Sequence, residues 1–328
     1  MNICVIGLGS MGKRRIRLLK ATNQKMEITG IDSNIERVIS VHEQYNIPCF
    51  TSLEGIADQF DCAFVCTPPL SHGKIIQECL NRDCHIFSEI NLVDNMYMEN
   101  IQLAKEKNKV LFLSSTPMYR AEMQFVRKRV KENGKPCAYQ YHVGQYLPDW
   151  HPWDNLKDFF VSSKRTNGCR EFLAIEFPWI QAAFGKIARV SVVKRKLTKL
   201  DLNFPDTYLL WVEHENGTIG NMLVDIVSRQ AVRQLEVINE ELYIRWSGTP
   251  DTLYEKNFVT GELEQNAVGE YIHIPGYADC INEAAYAEEM KMFFKAIQGE
   301  KPEYGFLEDM ELLKIIDEIE GVENNEYK

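Results

Sequence analysis

Ile6-Gly7-Leu8-Gly9-Ser10-Met11-Gly12-Lys13 follows the short apolar run Asn2 to Ile6 and precedes a helix-like stretch that begins near Ser10. Three glycines at this spacing in a strand-to-helix turn have separate tasks. Gly7 permits the sharp exit from the strand, Gly9 lets the backbone approach a pyrophosphate, and Gly12 allows the helix to pack closely on the sheet. The free amides at the helix start, including those of Ser10 and Met11, then face phosphate charge, with Leu8 in the turn between them. About 20 residues further on, an acidic side chain, Asp32, ends the next apolar strand, Ile28 to Ile31, as a dinucleotide fingerprint requires.

The bulk properties narrow the class. With 328 residues and 45% hydrophobic content the chain can fill two cores, since single cores stop growing at roughly 250 to 300 residues. A formal net charge of −10 and a pI near 5.3 argue against the clustered positive potential that nucleic acids or anionic membrane surfaces demand. There is no apolar leader before the first strand and no long apolar run, which argues for a cytoplasmic protein. Nine scattered cysteines, without a C-x-x-C pair, suit buried thiols in a reducing compartment and argue against a metal site.

Beyond the glycine turn, β-like and helical runs alternate: Ile28 to Ile31 then Asn34 to Tyr45, Cys62 to Cys66 then Ser71 to Asn81, His85 to Ser88 then Asn95 to Lys107, and Val110 to Ser114. Such alternation reads as α/β, a parallel Rossmann sheet with helices on both faces, over residues 1–117. From Met118 the texture changes, and residues 118–328 are expected to form an α+β domain with an open, mostly antiparallel sheet. Its parts are a helix from Ala121 to Asn133, a strand with Tyr139, Tyr141 and Val143 on one face, an aromatic loop from Tyr146 to Trp153, and a helix from Cys169 to Phe184. Strands follow at Ala188 to Lys194, Thr207 to Glu213, Thr218 to Asp225, Gln234 to Ile238 and Glu241 to Trp246. Two amphipathic helices, Glu283 to Gln298 and Leu307 to Ile319, close the chain, and the terminal helices are candidates to pack back on the N-terminal domain. The polar tail from Glu320 is expected to fray.

Asp32 at a strand tip accepts ribose hydroxyls and repels a 2′-phosphate, which favours NAD; Arg37 nearby keeps NADP possible. Capping of the helix near Asn34 is the alternative task for Asp32. The basic residues Lys13, Arg14, Arg15 and Arg17 read first as a solvated helix face. Cys66-Thr67-Pro68-Pro69-Leu70-Ser71-His72 sits at the carboxyl edge of the sheet, where open α/β folds bind ligands, so Thr67, Pro68 and His72 are cofactor candidates. A solvated or capping histidine is the plainer account of His72.

Together, the glycine turn, Asp32, the Thr67 to His72 segment and the two-domain layout make the whole chain resemble the Gfo/Idh/MocA oxidoreductases, which include glucose-fructose oxidoreductase and inositol dehydrogenase. The resemblance implies cofactor contacts from Glu89 and Ile90, at the place of the family's E-K-P motif, and from Trp153 in a loop that lies over the cofactor in the family. Here that motif reads Glu89-Ile90-Asn91, so the lysine is missing. The family's D-x-x-x-H pair, whose members stand one helical turn apart, corresponds to Glu171 and Ile175, so the histidine is missing as well.

Oxidising an alcohol needs a group that takes the hydroxyl proton, and isoleucine cannot be that group. By family position the candidates are Tyr119, His151, Glu171 and Glu176. Packing for Tyr119, loop ordering for His151 and helix-surface ion pairs for the two glutamates are their alternatives. The resemblance implies an NAD(P)-dependent oxidoreductase acting on a sugar, nucleotide sugar or related carbonyl or imine compound, a small-molecule substrate, in a homodimer or homotetramer. Loss of both usual groups leaves open an inactive dinucleotide-binding sensor or scaffold, and redox-neutral elimination or epimerisation is a third option.

Overall fold

The structure, a computed structural model, describes residues 1–22, 25–56, 59–150 and 159–321. The chain divides into two compact units, residues 1–114 with 290–310 and residues 115–289 with 311–328. His151 and Trp153 lie outside the described residues, as do positions 322–328 of the tail.

In the first unit, six strands, β1 (Asn2–Ile6), β2 (Glu27–Ile31), β3 (Cys49–Phe50), β4 (Cys62–Val65), β5 (His85–Ser88) and β6 (Leu111–Leu113), form one sheet in the order β3-β2-β1-β4-β5-β6. Every pairing is parallel. The central strands are apolar and shut from water on both faces, as strands covered by helices must be. The covering helices are α1 (Ser10–Ala21), α2 (Ile35–Tyr45), α3 (His72–Asn81) and α4 (Tyr97–Glu106). From β1 the order runs to β2 on one side and to β4 on the other, which makes the carboxyl ends of β1 and β4 the topological switch point where such sheets bind ligands. Phe64, Phe87 and Phe112 stack across β4, β5 and β6, with ring centroids about 5 Å apart. Phe293 meets all three edge-on, which explains why residues 290–310 belong to this core.

The second unit contains α5 (Ala121–Asn133), β7 (Ala138–Gly144), α6 (Gly168–Phe184), β8 (Ile187–Arg195), β9 (Thr207–His214), β10 (Ile219–Asp225), β11 (Val232–Asn239), β12 (Leu242–Trp246), β13 (Tyr254–Lys256) and β14 (Leu263–Gln265). Its eight strands run β14-β13-β12-β11-β7-β10-β9-β8, antiparallel except where β7 and β10 lie parallel. The face carrying Tyr139, Tyr141 and Val143 is buried. Two closing helices, α7 (Glu283–Ile297) and α8 (Phe306–Glu320), complete the chain.

The short strands β3, β13 and β14 are additions to the elements read from the sequence. Glu320 does not fray: it accepts hydrogen bonds from Asn167 and from the Tyr208 hydroxyl. The nine cysteines are unpaired thiols, seven of them buried. Among the described residues no group of histidine, cysteine, aspartate and glutamate could hold a metal ion, and no helix is long and apolar enough to cross a membrane.

Candidate cofactor and proton-transfer sites

At the carboxyl end of β1 the three glycines are demanded by different neighbours. Gly7 has φ +92°, and a Cβ there would lie 2.6 Å from the Cys66 carbonyl and 2.7 Å from the Thr67 nitrogen. A Cβ on Gly12 would lie 1.9 Å from the Gly7 oxygen, so only glycine lets α1 come this close to the turn. Gly9 differs: its backbone is extended (φ −73°, ψ −159°), and the nearest atom to a Cβ there is an Arg37 nitrogen at 3.9 Å. Among the described residues nothing requires glycine at position 9.

Gly9 is also the N-cap of α1, yet it offers no side-chain cap, and the first turn holds no acidic residue. Uncapped amides with the positive end of a helix dipole behind them form an anion site, and the phosphates of a dinucleotide fit its charge and the room above Gly9. Leu8 is buried under the turn, while Ser10 and Met11 are half-buried at its rim.

Asp32 is nearly buried at the end of β2. Its Oδ2 accepts the Leu8 N–H at 2.7 Å and its Oδ1 the Asn34 N–H at 2.8 Å. The helix cap of α2 is Asn34, whose side chain accepts from Glu36 and Arg37, so capping is not the task of Asp32. Asp32 ties the second strand to the glycine turn. The Arg37 guanidinium stands 3.7 Å from Oδ2 and is half-exposed.

The basic run on α1 departs from the expected solvated face. Arg14 and Arg15 are buried; Arg15 gives its Nε to Glu89 Oε1 at 2.6 Å, reaches Ser114 Oγ at 3.3 Å and lies 4.4 Å over the Phe87 ring. Glu89 is thus the partner of a buried arginine rather than an exposed cofactor ligand. Ile90, next in the chain, is half-exposed, and Asn91 turns inward.

Thr67 and Pro68 are at the rim, as their candidacy requires, with the Ser71 hydroxyl bonded to the Thr67 hydroxyl at 2.7 Å. His72 is neither solvated nor turned to a ligand. Its ring is 1% exposed, with Nε2 2.6 Å from the Thr67 carbonyl and Nδ1 2.7 Å from the Asn91 amide, so both nitrogens are taken by protein. Burial pulls its pKa below the ordinary histidine value, against the opposing pull of those hydrogen bonds.

In the second unit, α6 begins at an Asn167 cap whose side chain accepts the Arg170 N–H. Two candidate glutamates on this helix differ sharply. Glu176 is buried and satisfied: Oε2 accepts the Tyr141 hydroxyl at 2.8 Å and the Trp179 indole at 2.6 Å, and Oε1 accepts Arg233 Nε at 3.0 Å. It is an internal ion pair rather than a helix-surface one, and it is not placed to exchange a proton with a ligand.

Glu171 is the opposite. The residue as a whole is half-buried, but Oε2 is shut from solvent and has no hydrogen-bond donor among the described residues. Burial alone pushes its pKa up to about 8. Ile175 occupies the next turn on the same face. Tyr119 is half-buried in the turn Thr116–Tyr119, which packs against α6. Trp150, from the aromatic loop, donates to the Gln145 carbonyl at 3.1 Å and meets the Phe172 ring edge-on, a packing role.

Sequence reasoning missed the Arg15–Glu89 pair and the hold of Asn91 on His72. The only advance signal for the second was a polar residue standing where the family has proline.

A parallel sheet in the order 3-2-1-4-5-6 with a glycine cradle at its switch point, followed by an open-sheet α+β unit, defines the class: a two-domain fold with an NAD-binding Rossmann unit. Residues 1–115 match the Gfo/Idh/MocA model, described as an oxidoreductase family with NAD-binding Rossmann fold, which is the family that the sequence resembles. UDP-N-acetylglucosamine 3-dehydrogenase of Acidithiobacillus ferrooxidans is 21% identical over 313 residues, 92% of this chain and 90% of that protein. A crystal form of the enzyme of that name from the same organism superposes with a TM-score of 0.75 at 18% identity, covering 98% of this chain and 97% of the other. A levoglucosan dehydrogenase in complex with NADH superposes with a TM-score of 0.78 at 15% identity, covering 97% and 95%.

Proposed function

We propose that this chain is a cytoplasmic NAD(P)-dependent oxidoreductase that exchanges a hydride with a sugar or nucleotide sugar, with Glu171 as its proton-transfer group. The observation that carries the cofactor half is Gly9, a glycine that no neighbour among the described residues requires, at the start of α1, which has no side-chain cap. The names of the relatives, which act on a UDP-sugar and an anhydrosugar, support the substrate class.

Gly7, Gly9, Gly12 and the amides of Ser10 and Met11 would hold the pyrophosphate, Asp32 the adenosine ribose, and Thr67 and Pro68 the wall beside them. The nicotinamide, when bound, supplies hydride exchange at a carbon. Glu171 handles the proton at the neighbouring oxygen: as carboxylate it takes the hydroxyl proton while the alcohol becomes a carbonyl, and as acid it returns one in reduction. A carboxyl whose pKa burial has pushed up to about 8 can serve in both directions near neutral pH.

Self-association is part of the reading. Val193, Leu209 and Leu223 align in register on the open face of the second sheet, next to the exposed Trp211, which supports a homodimer or homotetramer. The absence of lysine at Ile90 and histidine at Ile175 favours the second reading, a sensor that binds dinucleotide without turnover.

Titration with NADH by fluorescence, then assay of nicotinamide absorbance with UDP-sugars and free sugars, separates the readings. Binding with turnover is expected. Binding without turnover on any of them moves the protein to the sensor class, and absence of binding defeats both.

A further inference from the structure

The carbonyl of Thr67 can only accept a hydrogen bond, so the His72 Nε2 that lies 2.6 Å away carries a proton. Burial keeps the ring neutral, and Nδ1 is then a lone pair in need of a donor. Two groups reach it. Ser88 Oγ, 3.5 Å away, already gives its proton to the Glu89 carbonyl. The Asn91 amide, 2.7 Å away and buried, remains. The atom placed there is Oδ1, but the oxygen and nitrogen of an amide exchange places by a half-turn, and Asn91 Nδ2, on the side of Tyr97, makes no hydrogen bond of good geometry. With the NH2 turned to Nδ1 in place of the oxygen, the histidine gains the donor it needs, and the Asn91 oxygen turns to the side of Tyr97.

The carbonyl that His72 holds matters because of what precedes it in the chain. A Cβ on Gly7 would approach Thr67 N to 2.7 Å, so the Cys66–Thr67 peptide forms one side of the glycine turn, and the Thr67 carbonyl lies one Cα further on. We infer that Asn91 is a positioning residue for the dinucleotide site: it fixes the proton of His72 on Nε2, and His72, by holding the Thr67 carbonyl, steadies the backbone of Thr67 beside the glycine turn. This rests on the cofactor reading above for its effect on binding, but not for the tautomer itself. It gives a physical reason for asparagine at a position where the resemblance expects proline, which has no donor to offer.

Other titratable or charged groups face this ring. They are Glu89, paired with Arg15 and acting on the ring itself, and, beyond the Asn91 side chain, Tyr97, whose hydroxyl donates to Asp309. Both Asn91 variants keep these side chains, and the tautomer measurement on the wild type does not depend on them.

Two experiments decide it. In the unliganded protein, 15N NMR of the His72 ring at neutral pH is expected to show the Nε2–H tautomer. A ring protonated on Nδ1 alone, or on both nitrogens, overturns the inference, whether or not the protein binds NADH. The second compares NADH affinity in Asn91→Ala and the isosteric Asn91→Asp. Loss of the donor in Asn91→Ala is expected to weaken NADH about tenfold. A carboxylate at 91 can only accept, so at high pH it draws the His72 proton to Nδ1 and releases Thr67. At low pH the doubly protonated ring holds both partners again. The affinity of Asn91→Asp for NADH, relative to wild type, is therefore expected to fall as pH rises and to recover on acidification. Equal affinity of wild type and both variants from pH 6 to 9 overturns the positioning role. If Asn91→Ala fails to fold, the isosteric variant and the tautomer measurement still decide. If the wild type itself fails to bind NADH, the cofactor reading falls, while the tautomer result stands or falls by itself.

Discussion

Glu171 and Ile175 stand one turn apart on α6 and are the two half-exposed positions in a stretch from Thr166 to Ile180 that is otherwise buried. They are the least buried positions of that stretch, and the proposed proton-transfer group is one of them. One is a carboxyl without a donor for Oε2 among the described residues, the other an inert side chain where the family pattern expects the base.

If Glu171 exchanges the proton, Glu171→Gln should lower the oxidation rate by about 10²- to 10⁴-fold with little change in NADH affinity. In the wild type, oxidation needs the carboxylate and should rise with pH through about 8, while reduction needs the acid and should fall through the same value. Both limbs should vanish in the variant. The same group sets a stability trend. Its folded pKa lies above the ordinary 4.5, so the folded state holds the extra proton between these values and loses stability as pH rises from about 4.5 to 8. Thermal melts across this range should show that slope in the wild type and not in Glu171→Gln. A pH-rate limb that persists in the variant assigns the proton to another group.

Ile175→His should place an imidazole beside the Glu171 carboxyl, in the arrangement the resemblance describes. In the Glu171→Gln background it should restore part of the lost activity, with a limb near the ordinary histidine value of about 6.5. No recovery in any substrate that the wild type turns over would mean this face of α6 does not meet the reacting oxygen.

Asp32 and Arg37 should set cofactor choice between them. Removing the carboxylate in Asp32→Ala should narrow the preference for NADH over NADPH by about tenfold, roughly 1.4 kcal/mol. Removing the cation in Arg37→Ala should widen it. Dissociation constants for both cofactors, compared at one salt concentration, check this; a ratio unmoved by either change contradicts the assignment.

Glu89 should matter for stability. Glu89→Ala leaves Arg15, whose side chain is fully buried, without its carboxylate, and should cost about 3 kcal/mol in urea unfolding. A loss below about 1 kcal/mol would show that the neighbours of Arg15 suffice without it.

The parts legible from the sequence are those set by local rules. The glycine turn, Asp32 and the alternation of strands and helices depend on spacing within a few residues, and they appear in the structure as read. The strand Cys49–Phe50 escaped because two residues at a sheet edge carry no period. Strands Tyr254–Lys256 and Leu263–Gln265 escaped because they are short, polar and at the opposite edge of the other sheet. The differing fates of Glu171 and Glu176 could not be read from position, since both are acids on one helix. What separates them is Tyr141, Trp179 and Arg233 converging on one carboxylate and not on the other. His72 and Asn91 meet across 19 residues of chain, a contact that only the fold creates.

If the space above Gly9 is kept for a dinucleotide, calorimetric titration of NADH into wild type and Gly9→Ala will distinguish the two proteins. The backbone at Gly9 accepts alanine and its Cβ would meet only the end of Arg37 at 3.9 Å, so the variant should melt within about 1 °C of wild type. With stability matched, the wild type should bind NADH and the variant should lose at least tenfold in affinity. Equal binding by the two proteins, or no binding by the wild type, would contradict it.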